Sequence, residues 1–183
     1  MTTDEARAGR TEAEWAFIRD LGESRARWRA VLESPPSPER SRLLRASYES
    51  TYRAYGRRDW ELNTLVIHPT DYVFRGGAMR QLIPGTPTDA RGTAGYLQLH
   101  QAFLEAWADA EVAFDGVHDA PDGRTVGLPR FLLRGGSSGL EIDQGMADVH
   151  VWRDGWLVEQ TYWFDREEGF RSVGLDAADV SGS

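Results

Sequence analysis

Apolar residues recur at three- and four-residue spacings early in the chain and at alternate positions late in it, so the pattern predicts helices followed by strands. Trp15, Ile18, Leu21, Trp28, Val31 and Leu32 form an amphipathic stripe over residues 11–34, weakened at Gly22 and stopped by Pro35-Pro36-Ser37-Pro38. Leu44, Tyr48, Tyr52 and Tyr55 fall on one unusually aromatic face of a second helix over 39–57. A short third helix is expected from its N-cap Asp59, ending before His68-Pro69 because a residue preceding proline avoids the α region. A short strand over 71–74 and a glycine- and proline-rich loop over 75–92 come next. Tyr96, Leu99, Phe103 and Trp107 then share one face of a helix over 93–108. Beyond it the period changes to two. Runs over 111–120, 124–134, 140–153 and 156–164 are separated by Asp122-Gly123, Gly135-Gly136 and Asp154-Gly155, each a hairpin signal, and predict an antiparallel meander. Asp165 is expected to cap a last helix over 166–173.

Helices first and a meander afterwards is an α+β order. Both aromatic stripes are buried if the sheet rolls around them, giving a cone-shaped α+β barrel with N-terminal helices packed in a curled antiparallel sheet. Residues 1–38 read as a helical extension with a proline-rich connector, 39–175 as the cone, and 176–183 as a flexible tail. Trp15 and Trp28 are too much apolar surface for a free arm, so the extension is expected to dock on the second helix, the rim of the cone or a partner subunit. At the rim it would lengthen the pocket for a larger apolar ligand.

The last hairpin permits a register prediction. A three-residue loop at Arg153-Asp154-Gly155 sets Trp152 opposite Trp156 and Asp148 opposite Gln160. Alternation then puts Met146, Asp148, His150 and Trp152 on one face with Val158, Gln160, Tyr162 and Phe164, a polar and aromatic mixture that suits a pocket. The other face, with Ala147, Val149, Val151, Leu157 and Trp163, is smooth and aliphatic, and predicts a homodimer.

Composition removes several function classes. The chain has 183 residues, 40% of them hydrophobic, enough for one core. Its 29 acidic and 21 basic residues give a net charge of -8, the wrong sign for a nucleic-acid partner. The absence of cysteine excludes disulfides, thiolate nucleophiles and cysteine metal sites. With neither a signal-like apolar segment nor a membrane-length apolar run, a cytoplasmic protein with no membrane partner is expected. The four histidines are dispersed and no carboxylate cluster fits a cation loop, so no metal is expected. The Gly135–Gly139 glycines join strands and do not open a helix, so no nucleotide cofactor is expected either.

Asp148, His150 and Arg130 are the candidates for chemistry. An aspartic acid among Met146, Trp152 and Phe164 is expected to hold a proton it can donate, with His150 as its proton partner. Arg130 could pair with Asp148 or take an anionic group. The plainer alternatives are a carboxylate held by Gln160 or a tyrosine, a structural histidine and an ordinary salt bridge. Tyr52, Tyr55, Tyr72, Trp107, Met146, Gln160, Tyr162 and Phe164 are the expected substrate contacts. His68 reads as a fold feature, His100 and His118 as surface groups, and Glu141 and Asp143 as solvated.

The segments Tyr55-Gly56-Arg57-Arg58-Asp59-Trp60, Ile67-His68-Pro69, Asp71-Tyr72-Val73-Phe74, 151–159 (VWRDGWLVE) and Tyr162-Trp163-Phe164-Asp165 resemble the SnoaL-like branch of the nuclear transport factor 2-like superfamily, over roughly residues 42–175. The resemblance implies the cone fold but leaves function open, because that superfamily includes both enzymes and non-catalytic binders. In the related ketosteroid isomerases a carboxylic acid on the penultimate strand donates to an oxyanion, and the resemblance puts Asp148 there. The isomerase base would fall on Arg75 and its tyrosine on Thr51, which argues against the steroid mechanism. The epoxide hydrolase set is matched at Arg130 but not at Leu132 and Tyr162, and the dehydratase set at Tyr55 but not at Arg75. SnoaL-like polyketide cyclases need little beyond one acid-base aspartate. The resemblance thus implies a cofactor-independent cyclase, isomerase or dehydratase acting on a hydrophobic oxygenated small molecule such as a polyketide. The alternative is a non-catalytic ligand-binding or assembly domain.

Overall fold

Proline and serine set the start of the aromatic helix. In a computed structural model that describes residues 3–23, 25–76, 89–136 and 139–176, Pro38 opens helix α4 (Pro38–Gly56), and the Ser37 hydroxyl accepts the Arg40 N–H. Before it, α1 (Thr3–Ala8), α2 (Glu12–Glu23) and α3 (Arg25–Glu33) show that the expected long helix is broken just after Gly22 and ends before the prolines. Asp59 caps α5 (Trp60–Asn63) through the Leu62 N–H. Strand β1 (Val73–Arg75) and strand β2 (Asp89–Arg91) pair with each other and lead into α6 (Gly92–Glu105). Most of the expected glycine-rich loop lies outside the described residues.

Strands β3 (Asp109–Asp119), β4 (Thr125–Arg134), β5 (Glu141–Gly145), β6 (Ala147–Arg153) and β7 (Trp156–Trp163) follow. Helix α7 (Arg166–Ser172) ends the fold, capped by Asp165, which accepts the Glu167 and Glu168 N–H groups. The expected single run over 140–153 is interrupted at Met146, opposite Pro129, which has no N–H to give to the ladder. The sheet order is β2-β1-β7-β6-β4-β3, with β5 also on β4. All pairs are antiparallel except β1–β7, which is parallel, so the sheet is mixed where a wholly antiparallel one was expected.

The β6–β7 register departs from expectation in a way that matters. Asp154 and Gly155 both have positive φ, 53° and 77°, so the turn holds two residues, not three, and Trp152 pairs with Leu157. One extra residue on β7 then shifts the register, pairing His150 with Gln160 and Asp148 with Tyr162. The bulge restores the parity that the two-residue turn upsets. Asp148 and His150 thus share the inner face with Gln160 and Tyr162, and Leu157, expected on the outer face, lines the interior.

The larger core lies between α4, α6 and the inner face of the sheet, around Tyr55, Leu99, Phe103, Phe131 and Tyr162. A smaller one lies on the outer face, where Phe170 and Val173 cover Ala147 and Val149. Gly169 makes this possible, because a Cβ there would come within 2.4 Å of the Ala147 Cβ. The aliphatic face on which the homodimer expectation rested is therefore covered largely by the chain's own last helix, and it no longer argues for a dimer.

The N-terminal helices dock at the rim. Arg10 donates twice to Asp59, at 2.7 and 2.8 Å, with both side chains 2% exposed. Arg57 donates to fully buried Glu14. Arg25 lies over the Trp156 ring and donates to the Leu65 and Gly155 carbonyls. Trp28 meets Trp152 edge-on, with ring centroids 5.8 Å apart.

Candidate functional site

Helix periodicity brings Tyr48, Tyr52 and Tyr55 to one side of α4, facing the inner ends of β4, β6 and β7. Gly127 makes room for them. A Cβ at that position would lie 2.6 Å from the Tyr48 ring and 2.8 Å from the Tyr52 hydroxyl. Gly127 pairs with Asp148 across β4–β6, so Tyr52 reaches the carboxylate, and Tyr48 reaches His150, over a strand that has no side chain there.

Asp148 is completely buried. Its Oδ2 accepts the Tyr52 hydroxyl at 2.6 Å and the Gln160 side-chain N–H at 2.7 Å. Tyr72 donates to the other end of the Gln160 amide at 2.6 Å, which fixes its orientation. His150 Nε2 lies 2.9 Å from the same Oδ2, within ion-pair distance although off the line of a hydrogen bond. Oδ1 is buried with no hydrogen-bond partner among the described residues.

The other nitrogen of His150 ends a relay. The Trp152 indole, which can only donate, gives its N–H to Thr125 Oγ1 at 2.8 Å. The Tyr48 hydroxyl is 2.5 Å from Thr125 Oγ1 and 2.5 Å from His150 Nδ1. Trp152 is the fixed donor of this relay, and when Thr125 donates to Tyr48 and Tyr48 to Nδ1 the proton of a neutral His150 sits on Nε2, beside Asp148.

Burial pushes the Tyr48, Tyr52, Tyr55, Tyr72, Tyr96 and Tyr162 hydroxyls well above the usual tyrosine range. For Tyr52, Tyr96 and Tyr162 the charge of Asp148 adds next to that effect. The cavity is therefore lined by O–H groups that stay protonated. The Tyr162 hydroxyl has no hydrogen-bond partner among the described residues, and Tyr162 is the direct cross-strand neighbour of Asp148.

These groups enclose a cavity of about 30 Å³, the space of one water molecule. Of the residues singled out in the sequence, Asp148, His150, Tyr52, Tyr55, Gln160 and Tyr162 line it. Tyr72 stands one layer behind, through Gln160. Met146 and Trp107 are buried elsewhere in the core, and Phe164 packs at its edge. Arg130 is not brought to the site. It points outward from β4 and pairs in solvent with Asp143 at 2.6 and 2.5 Å, so Arg130 does not carry the role expected of it, while Asp143 is exposed as expected.

Sequence reasoning missed His100, expected at the surface. It is completely buried against Tyr55, Tyr96, Phe74 and Tyr162, and burial pushes its pKa down to about 3. The signal was available, since His100 falls one turn beyond Tyr96 on the apolar face of α6. The parts of Thr125, Asn63 and Trp152 had no signal, because each depends on a partner distant in sequence. Asn63 accepts from Tyr96 and donates to the Thr51 carbonyl, tying α5 to α4 and α6. His68 serves the fold, as Nδ1 accepts the Thr70 and Asp71 N–H groups. Among the described residues no group of three or more histidines and carboxylates could hold a metal ion, and no helix is long and apolar enough to cross a membrane.

No protein-family model and no curated protein matches the sequence. Solved structures do match the fold. A nuclear transport factor 2-like protein of unknown function from Burkholderia pseudomallei aligns with a TM-score of 0.56 at 18% identity, covering 70% of this chain and 95% of that one. TerC co-crystallised with polyporic acid aligns at 0.53 and 18% identity, covering 67% and 91%. A hypothetical protein with a ketosteroid isomerase-like fold from Catenulispora acidiphila, in complex with trimethylamine, aligns at 0.52 and 10% identity, covering 69% and 91%. With its helices packed in a curled mixed sheet, this chain has the nuclear transport factor 2-like cone fold.

Proposed function

We propose that this protein is a cofactor-independent acid-base enzyme, of cyclase, isomerase or dehydratase type, acting on a hydrophobic oxygenated small molecule. One observation carries the reading: Asp148, a buried carboxylate whose Oδ1 has no hydrogen-bond partner among the described residues, and Tyr162, whose hydroxyl has none among them either, line the same cavity as cross-strand neighbours. The sequence has no lysine and no cysteine, so side-chain amine and thiolate nucleophiles are unavailable, and proton transfer is the chemistry these residue types favour.

In this scheme Oδ1 takes a proton from a carbon next to a carbonyl. The C–H electron pair moves into the carbon–carbon bond and the carbonyl electrons onto oxygen, where the Tyr162 O–H stabilises the enolate. Tyr52, Gln160 and His150 hold Oδ2 so that Oδ1 faces the substrate. The proton then returns to another carbon, which isomerises the substrate, or the enolate attacks a second carbonyl and the proton goes to the new alkoxide, which cyclises it. The inner space of about 30 Å³ admits only the reacting end of such a molecule.

Deuterium exchange tests this without knowledge of the product. The protein is incubated in D₂O with a panel of enolisable aromatic ketones, and label is read by mass spectrometry. Catalysed exchange is expected, falling about 100- to 10,000-fold in Asp148→Asn and less in Tyr162→Phe. If compounds that shift the melting temperature undergo no catalysed exchange, the protein is a binder and the proposal is wrong.

A further inference from the structure

The inner cavity is too small for the body of a hydrophobic substrate, yet a groove of about 700 Å³ lies beside it, between α2–α3 and α4. That volume is within the range of pockets that hold drug-sized ligands. Ala16, Phe17, Leu21, Trp28, Val31 and Leu43 supply its apolar wall. Two contacts connect it with the site. Ser47, a buried small residue on α4, lines both spaces. Trp28 on the groove wall meets Trp152 on the cavity wall edge-on. Ser47 and the Trp28–Trp152 pair thus join the groove to the space that Asp148 lines.

The groove also has an unmet hydrogen bond. Trp28 is 7% exposed, and its indole N–H is buried without an acceptor among the described residues. A buried donor left unpaired is costly, and a ligand oxygen would satisfy it. The charged groups nearby do not favour an anion. Arg27 and Arg40 balance Asp20 and Glu39 along its lining, and Arg40 is engaged by Asp119 and by the Val31, Leu32 and Ser34 carbonyls.

We infer that this groove is the subsite for the body of the substrate: a neutral, fused-ring or extended apolar molecule with a carbonyl or ether oxygen that accepts from Trp28, and whose reacting end passes Ser47 toward Asp148. The inference rests on the acid-base reading above. It makes the N-terminal helices part of the substrate site rather than a structural appendage.

Nile red, a neutral fused-ring dye with a ring carbonyl that fluoresces in apolar surroundings, is the probe, used with the full chain. Saturable binding is expected, weakened at least tenfold by Ala46→Trp, which fills the groove from α4, and by Ala16→Trp, which fills it from α2. Using both covers the case in which one variant fails to fold, with circular dichroism as the check. Trp28→Phe keeps the ring, loses the N–H and should weaken binding several-fold. No binding to the wild type, or binding indifferent to both filled variants, overturns the subsite. So does light scattering that shows a dimer dissociated by the dye, since the occupant would then be a second copy. In the exchange assay both filled variants should slow turnover of fused-ring ketones at least tenfold, and unaltered turnover also overturns the inference. If exchange is absent throughout while dye binding responds to filling, the acid-base reading falls and the groove stands as a ligand site.

Discussion

Replacing His100 by phenylalanine should make the protein less sensitive to acid. His100 is completely buried, joined to the Tyr55 hydroxyl through Nδ1 at 2.9 Å, and its ring centroid is 4.2 Å from that of Tyr96. Burial depresses its pKa from 6.5 to about 3, so the native state keeps it neutral where the unfolded chain protonates it. Between those values the unfolded state binds one more proton, and stability rises with pH by about 1.4 kcal/mol per unit. This contribution is complete above pH 6.5 and is lost as pH falls toward the native value. One unit below 6.5, at pH 5.5, the loss is about 1.4 kcal/mol. His100→Phe preserves the ring packing but leaves the Tyr55 hydroxyl unpaired, a cost of about 1–3 kcal/mol at either pH. Urea unfolding followed by tryptophan fluorescence should therefore show the wild-type advantage at pH 8 shrinking by about 1.4 kcal/mol at pH 5.5. An advantage constant to within about 0.5 kcal/mol would refute the reasoning and mean that His100 reaches water in the native state.

Gly127→Ala should drive Tyr48 off His150 and Tyr52 off Asp148, because the new Cβ meets them at 2.6 and 2.8 Å. A loss of about 1–3 kcal/mol by thermal unfolding and a fall in exchange activity beyond that of a neighbouring β4 control are expected, and a neutral variant would contradict the close approach. Arg10→Ala leaves Asp59 buried without its main partner. Burial alone would push the Asp59 pKa up, but the Arg10 hydrogen bonds outweigh it and hold it below the usual range. The variant should lose about 3 kcal/mol in urea and expose residues 1–34 to proteolysis, and wild-type resistance would show that the rim contact is held by other groups.

Local pattern set the order of elements and pointed to six of the residues that line the candidate cavity. Hydrophobic period is a local property, and it alone marked α4, α6 and the β3–β7 run, and put Tyr52 and Tyr55 on one side of a helix and Asp148 and His150 on one side of a strand. Capping at Asp59 and Asp165 was equally local. Three decisions belonged to the tertiary structure. The first was parity, since a two-residue turn and an extra residue on β7 jointly fix which side chains of β7 turn inward, and Leu157 changed sides as a result. The second was the partner of each charge. Arg130 and Asp148 lie in paired strands but on opposite faces, so Arg130 meets Asp143 in solvent while Asp148 is held by tyrosine and glutamine hydrogen bonds. The third was what covers the apolar surfaces: α7 closes the face that had suggested a dimer, and α2–α3 close the rim. Register, charge pairing and coverage all depend on groups far apart in the chain, and a pattern read along one strand or helix contains no term for them.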